Sequence, residues 1–255
     1  MSAPGSLRIV GLGPGSEAWI TPEAMGFIAN ATDLVGYAPY LERLALKPWQ
    51  KRHQSGNGAE LERARHALRL AEDGCHVALV SGGDPGIFAM AAAVFEAIDE
   101  GEPGWRDIDV AVSPGISAMQ AAAARIGAPL GHDFCAISLS DNLKPWPSVE
   151  KRLAAAASAD FVIALYNPAS AARPCRIQDA FALLRGLKPA STPVVFARAV
   201  GRKDEHIAIE TLAGADPSLA DMSTLIIVGS SETRIVPRGA AAPFVYTSRG
   251  ARVPR

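Results

Sequence analysis

The sequence lacks a marked excess of charge of either sign and has no long hydrophobic run. Its 25 lysines and arginines are balanced by 26 aspartates and glutamates, for a formal net charge of −1, which gives no electrostatic basis for binding nucleic acid or an anionic membrane. No apolar stretch reaches transmembrane length, and the first ten residues lack the apolar centre of a signal peptide. We therefore expect a cytoplasmic protein with neither nucleic acid nor a membrane as a partner.

Cysteines are few and isolated. Cys75, Cys135 and Cys175 form no C-x-x-C pair and are odd in number, which argues against a disulfide framework and a zinc site. We expect reduced thiols and no bound metal.

Strand-like and helix-like segments alternate along the 255 residues, a pattern typical of an α/β protein with a mostly parallel sheet in its first half. In that half the predicted strands are Leu7–Val10, Asp33–Gly36, Val77–Val80 and Ile108–Val112, and the predicted helices are Pro22–Ala31, Gly58–Glu72 and Ala89–Glu100. In the second half the predicted helices are Ser117–Ile126, Val149–Ala157 and Ile177–Leu187, and the predicted strands are Phe134–Leu139, Phe161–Leu165, Pro193–Ala197, His206–Thr211 and Ser223–Val228. We place a domain junction at Pro114, which gives domains 1–113 and 114–255, and expect the tail after Ser231 to be partly disordered.

A glycine-rich turn, Ser81-Gly-Gly-Asp-Pro-Gly-Ile-Phe-Ala-Met90, follows the apolar strand at Val77–Val80. Gly82 and Gly83 allow the backbone to approach a ligand closely. Asp84 either caps the following helix or faces a cation, so this turn is a poor phosphate cradle and suits a ligand with hydroxyls, an amine or a positive charge.

Another glycine turn, Gly11-Leu-Gly-Pro-Gly15, follows the first strand. It does not match a dinucleotide fingerprint, because Ser16 stands where the third glycine belongs and Pro14 has no amide N–H. On its own it is either a ligand loop or only a tight strand-to-helix connection.

Four motifs in order resemble the tetrapyrrole methyltransferases that use S-adenosylmethionine. They are Gly11-Leu-Gly-Pro-Gly-Ser-Glu-Ala-Trp-Ile-Thr21, Gly83-Asp-Pro85, Pro114-Gly-Ile-Ser-Ala118 and Leu225-Ile-Ile-Val-Gly229. The resemblance implies a two-domain α/β fold with mixed sheets, a cofactor cleft between the domains, and a homodimer.

The resemblance also implies which residues meet S-adenosylmethionine. The implied cofactor-binding residues are Pro14, Gly82, Gly83, Asp84, Ile87, Ser117, Ala118, Tyr166, Asn167 and Gly201. Two of these positions have a simpler interpretation, since Ser117 is also a suitable helix cap and Tyr166-Asn-Pro168 a strand-ending turn.

A narrower resemblance connects the chain with the ring-contracting methyltransferases that act on a precorrin in cobalamin synthesis. It rests on Asp33-Leu-Val-Gly-Tyr-Ala-Pro-Tyr-Leu41, Glu60-Leu-Glu-Arg-Ala64, Gly131–Trp146 and Leu165–Arg173. Many relatives have Ser-Gly-Met-Arg where this chain has Ser55-Gly-Asn-Gly58, which leaves Arg52 or His53 to supply a cation there. The alternatives are a sister corrin or uroporphyrinogen methyltransferase and a nucleotide-binding module without catalysis.

A polycarboxylate substrate requires cations, and ring contraction requires an acid or a base. The substrate-binding candidates are Arg52, His53, Asp141, Arg173, Arg198 and Arg202, with Lys203 beside the last of these. Any one such charge is more often a solvated surface group. Asp84, Ser117 and Tyr166 are the catalytic candidates, with Asp141 and His53 as weaker ones, because the acid–base group has to lie near the sulfonium.

Overall fold

The computed structural model describes residues 5–169 and 175–250. It divides into two compact units, one ending at Ala118 and the other beginning at Met119. Strands and helices are numbered below in chain order.

The first unit is a parallel five-stranded sheet flanked by helices, with strand order β3-β2-β4-β1-β5. Its strands are β1 (Ser6–Gly11), β2 (Asp33–Tyr37), β3 (Lys51–Ser55), β4 (His76–Ser81) and β5 (Asp109–Ser113). Its helices are α1 (Pro22–Asn30), α2 (Ala38–Leu41), α3 (Glu60–Glu72) and α4 (Met90–Glu100), and α5 (Ala118–Ile126) begins at the junction.

Both faces of this sheet are buried, which is why its central strands are continuous apolar runs. Successive residues of β4 point to opposite faces: Leu79 joins the core formed with α3 and α4, while Val80 joins the core formed with α1 and α2. Thr21 caps α1 by accepting a hydrogen bond from the amide of Ala24, and Pro22 occupies the first turn.

The second unit has a mixed five-stranded sheet in the order β10-β9-β11-β8-β7 and a small sheet in the order β12-β13-β6. The strands are β6 (Gly127–Ala128), β7 (Phe134–Ser138), β8 (Val162–Tyr166), β9 (Pro193–Arg198), β10 (His206–Thr211), β11 (Thr224–Val228), β12 (Thr233–Arg238) and β13 (Ala241–Thr247). The helices are α6 (Trp146–Ser158) and α7 (Arg176–Leu187). Because β11 runs antiparallel to both β8 and β9, the carboxyl ends of β7, β8 and β9 lie at one edge.

The predicted disorder after Ser231 is wrong for the described residues. β12 and β13 form an antiparallel hairpin there, and β13 also pairs with β6. Val245 is buried and the hydroxyls of Thr233 and Thr247 lie 2.9 Å apart, so this segment has its own packed contacts despite its arginines and prolines.

Candidate functional site

Two glycine turns of the first unit are joined at the carboxyl edge of its sheet. β1 lies between β4 and β5, and all three strands are parallel, so their last residues meet at this edge. The amides and carbonyls of Gly13 and Gly83 exchange two hydrogen bonds of 3.1 Å. Residues 11–15 and 81–87 therefore form one continuous backbone surface, in the position where open parallel sheets bind ligands.

The third turn, which follows β5, packs so closely against the first turn (residues 11–15) and the second turn (residues 81–87) that it requires glycine. A Cβ atom on Gly115 would lie 2.3 Å from the Gly83 carbonyl oxygen and 3.0 Å from the Gly11 Cα. A Cβ atom on Gly11 would lie 2.7 Å from the Gly115 amide nitrogen. No side chain fits at either contact, so these glycines allow the three turns to approach one another.

Asp84 links the second and third turns. Its Oδ1 accepts a hydrogen bond from the amide of Gly86 at 2.8 Å, and its Oδ2 accepts one from the amide of Gly115 at 3.0 Å. The alternative that Asp84 caps the next helix is wrong, because α4 begins at Met90 with Ala89 at its N-cap. The half-buried carboxylate instead joins the ends of β4 and β5.

Gly83 faces the third turn and leaves beside it a space that a methyl-sized group would fill in ordinary van der Waals contact. A Cβ atom there would have its nearest neighbours, in Ile116, Ser117 and Ala118, at 3.9–4.0 Å. Its φ of +66° is also one that L side chains rarely adopt. This narrow space beside Gly83 is thus bordered by backbone polar groups and by a carboxylate one residue away.

The other predicted residues of the first unit lie in the same three turns. Pro14 and Ile87 are half-buried, Ser117 is buried and directly precedes α5, and Ala118 is its first residue. Gly82 differs from Gly83, because a Cβ atom on it would lie 2.5 Å from the ring of Tyr40. The structure therefore brings together all the first-unit residues predicted for the cofactor, with one side of Gly82 covered by Tyr40.

Arg43 shapes the first turn and was missed by the sequence analysis. Its guanidinium donates hydrogen bonds to the carbonyls of Leu12, Gly13 and Gly15 at 2.8–3.1 Å. No motif marks this arginine. Tyr40, in contrast, lies in the Gly36–Leu41 segment that carries the narrower resemblance.

In the second unit, Tyr166 ends β8 and Asn167 follows it, at the shared edge of β7, β8 and β9. The Tyr166 hydroxyl accepts a hydrogen bond from the amide of Met119 at 3.2 Å. Asn167 has a φ of +51° and donates from Nδ2 to the hydroxyl of Ser138 at 3.0 Å. A positive φ in a non-glycine residue persists only where neighbouring contacts hold it, and such residues are common at binding sites.

The loop after β9 carries Gly201, whose φ is +82° and whose amide donates to the Glu205 carboxylate at 2.6 Å. Arg198 is already paired, with Asp221 at 2.7 Å and with Asp204 at 2.9 Å. Arg202 and Lys203 are exposed.

Asp141 is likewise engaged, since its carboxylate accepts a hydrogen bond from Arg176 Nε at 2.8 Å. Arg173 lies outside the described residues.

The two candidate cations expected to serve the loop before α3 lie in β3 and have structural partners. Arg52 donates from Nη2 to the carbonyls of Leu41 and Leu44, at 3.1 and 3.3 Å. His53 lies between Asp33, at 2.8 Å, and His66, at 3.1 Å.

The family model described as Tetrapyrrole (Corrin/Porphyrin) Methylases matches residues 6–216 of the chain. The chain belongs to this family. All four motifs but the last, Leu225–Gly229, lie inside the matched region.

Individual tetrapyrrole methylases are similar over almost the whole chain. A precorrin-3B C(17)-methyltransferase from a Sinorhizobium species is 57% identical over 245 residues, which is 96% of each chain. The crystal structure of the methyltransferase CobJ is 46% identical, covers 96% of this chain and all of its own, and has a TM-score of 0.91. A Thermus thermophilus uroporphyrin-III C-methyltransferase, solved with S-adenosylhomocysteine, shares the fold at 22% identity and a TM-score of 0.66, with 88% of this chain and 92% of its own covered.

The turns of this tetrapyrrole methylase fit a ligand with neutral and cationic polar groups. Pro14 gives the first turn no amide N–H at its centre, and Asp84 places a negative charge between the second and third turns. Both features disfavour a phosphate and suit a sulfonium with its amino acid and adenosine groups. Within the described ranges no cluster of three or more metal-ligating side chains is found, and no helix there is long and apolar enough to cross a membrane.

Away from the turns, Asp33, His53 and His66 form a chain of hydrogen bonds beside the β3 edge. Burial raises the pKa of Asp33, but hydrogen bonds from Thr32, His53 and Cys75 together outweigh it and leave that pKa below its ordinary value. Burial, reinforced by His53 and Arg69, lowers the pKa of His66. His53 is thus part of a structural network of the first unit.

Proposed function

We propose that this chain transfers a methyl group from S-adenosylmethionine to C17 of precorrin-3B and couples the transfer to ring contraction, giving precorrin-4. The observation that carries the proposal is the 57% identity, over 96% of both chains, with a precorrin-3B C(17)-methyltransferase. The glycine turns support it, because they offer a site of the right polarity for the cofactor in this chain.

When bound, S-adenosylmethionine supplies an electrophilic methyl group, so no covalent nucleophile from the protein is needed. The task of the protein is to align donor and acceptor and to exclude water. In our proposal the backbone of Gly83 and of residues 116–118 lines the cofactor site. Arg43 and Asp84 fix the shape of the turns.

Asp84, Ser117 and Tyr166 are the proposed acid–base candidates for ring contraction. Both oxygens of Asp84 accept backbone hydrogen bonds, which fits a role in holding the turns. A hydroxyl both donates and accepts, so the geometry favours Ser117 and Tyr166 for moving a proton. We also propose that Asn167 and Gly201 contact the cofactor and that the exposed Arg202 faces the substrate.

Incubation with precorrin-3B and S-adenosylmethionine labelled with ¹³C in its methyl group tests the function. We expect the label at C17 of a contracted ring by NMR, with no methylated, uncontracted product accumulating. Label at another carbon would establish a sister reaction, and accumulation of an uncontracted C17-methylated product would show that contraction needs a separate partner. The cobalt-containing counterpart serves as a parallel substrate in the same assay.

The homodimer, the cytoplasmic location and the domain boundary at 113/114 stay predictions. The homodimer follows from the family resemblance, the location from the composition, and the boundary from the Pro114-Gly115 pair that follows a predicted strand.

A further inference from the structure

Arg63 is a buried arginine without an ionic partner among the described residues. It lies in α3 and is only 5% exposed. Its guanidinium donates to the Ser55 hydroxyl at 2.7 Å, to the Gly56 carbonyl at 2.5 Å and to the Met90 sulfur at 3.3 Å. No carboxylate of residues 5–169 or 175–250 forms an ion pair with it, although Glu60 contributes a weaker favourable field.

This environment is unfavourable for a cation. A buried charge is normally compensated by an opposite charge and a full set of hydrogen bonds. Arginine has five N–H donors, and the three contacts leave one N–H on each terminal nitrogen with no acceptor among the described residues. Burial also lowers the pKa of Arg63, so an anion arriving at this position would be strongly stabilised.

The position of Arg63 relates it to the candidate site. Ser55 ends β3, and Met90 begins α4 directly after the second glycine turn. The guanidinium therefore lies at the carboxyl edge of the first-unit sheet, the edge that carries the glycine turns.

The exposed loop of residues 56–58 lies next to Arg63, with the Gly56 carbonyl hydrogen-bonded to its guanidinium. Residues 56–58 are exposed, and Cβ atoms built on Gly56 and Gly58 meet nothing within 4 Å. A small rearrangement of this loop would open the guanidinium to a ligand.

We propose that Arg63 binds a carboxylate of the tetrapyrrole substrate and is a specificity-determining residue. The inference rests on the proposed function, because a polycarboxylate substrate brings the missing anion. The cofactor also carries one carboxylate, so the affinity for S-adenosylhomocysteine is measured beside the affinity for the substrate. Arg63 thereby supplies the cation that was expected from Arg52 or His53 at this loop. Arg52 and His53 both take part in structural hydrogen bonds instead.

The test compares Arg63→Gln and Arg63→Lys with Arg69→Gln, an exposed arginine on the same helix as the matched control. Loss of a buried, charge-assisted contact should raise the KM and Kd for the substrate about 30-fold in Arg63→Gln and about tenfold in Arg63→Lys. The Kd for S-adenosylhomocysteine should stay within twofold in both. Arg69→Gln should leave all three values unchanged.

A second pair of variants covers the case in which Arg63→Gln does not fold. Asn57→Asp places a competing carboxylate in the exposed loop next to Gly56, while Asn57→Gln keeps that position neutral. We expect a raised KM with little change in kcat for Asn57→Asp only.

Unchanged substrate affinity in a folded Arg63→Gln, or equal losses of substrate and cofactor affinity, would overturn the inference. If Arg63→Gln does not fold, an unchanged KM in Asn57→Asp would overturn it. The proposed function fails separately, through absence of methyl transfer by the unsubstituted protein.

Discussion

Replacing Asp84 with alanine distinguishes a carboxylate that holds two turns together from one that contacts the ligand. The structure gives this side chain two hydrogen bonds from backbone amides, at 2.8 Å from Gly86 and 3.0 Å from Gly115. A hydrogen bond to a charged acceptor contributes about 1.5–3 kcal/mol. Because Asp84 is half-buried, we take the lower value for each bond and expect the free energy of unfolding to fall by about 3 kcal/mol.

Two measurements report the effect of Asp84→Ala. Urea denaturation reports the free energy of unfolding, and amide hydrogen exchange reports whether Gly115 becomes less protected once its acceptor is removed. Asp84→Asn keeps an oxygen for only one of the two amides and should cost about 2 kcal/mol. If the turns separate, the Kd for S-adenosylhomocysteine should rise at least about tenfold, which corresponds to 1.4 kcal/mol.

Asp216 provides the matched control. Its carboxylate accepts hydrogen bonds from the amide and hydroxyl of Ser218, only two residues away, and connects no separate segments. Asp216→Ala should leave the cofactor affinity unchanged. Weakened cofactor binding in Asp84→Ala with unchanged stability and unchanged exchange at Gly115 would refute the structural role and assign Asp84 to direct ligand contact.

Two further predictions concern packing and pH. Gly115→Ala should destabilise the protein by at least about 3 kcal/mol in urea denaturation, because the new Cβ would lie 2.3 Å from a backbone oxygen. The control Gly26→Ala, in the middle of α1 with open space around it, should instead stabilise the protein by about 0.5–1 kcal/mol. Equal effects of the two substitutions would contradict the packing of the turns. Burial lowers the pKa of His66 in the folded protein below the ordinary histidine value of 6.5. As the pH falls below 6.5, the unfolded chain therefore takes up a proton before the folded protein does. The free energy of unfolding should then decline, by about 1.4 kcal/mol for each pH unit by which the folded-state pKa lies below 6.5. His66→Gln should flatten that decline in urea titrations between pH 7 and 5, while the same change at the exposed His206 should not.

The sequence predicted most of the first-unit fold because the apolar pattern there is simple. Buried strands such as β4 are short apolar runs, and α1 carries a Thr-Pro start. β3 was missed because Lys51–Ser55 is polar and lies at the sheet edge, where its backbone pairing with β2 rather than its side chains defines it. The hairpin after Ser231 was missed for a similar reason, since it is defined by the backbone pairing of β12 with β13 and of β13 with β6, which lies more than 100 residues earlier.

The candidate site was predictable as a set of turns but not as a network. Glycine-rich segments at strand ends indicated where a ligand approaches, and parallel strand order brings those ends to one edge. The partners of Asp84 and Arg43 are separated from them by up to 31 residues, and nothing local identifies them. The same limit explains why Arg52 and His53 looked available for substrate: their polar partners appear only in the fold.

The electrostatic character of the turns depends on two charged side chains, Arg43 and Asp84. The guanidinium of Arg43 donates hydrogen bonds to three carbonyls of the first turn and so holds the shape of that turn. Asp84 places its charge between the second and third turns, one residue from Gly83. Backbone amides hold this carboxylate in position without bringing a full positive charge beside it. Its negative charge can therefore attract a cationic ligand bound at the turns. Such a site favours a cation such as a sulfonium over its uncharged thioether product, and this difference would assist release of the product after methyl transfer.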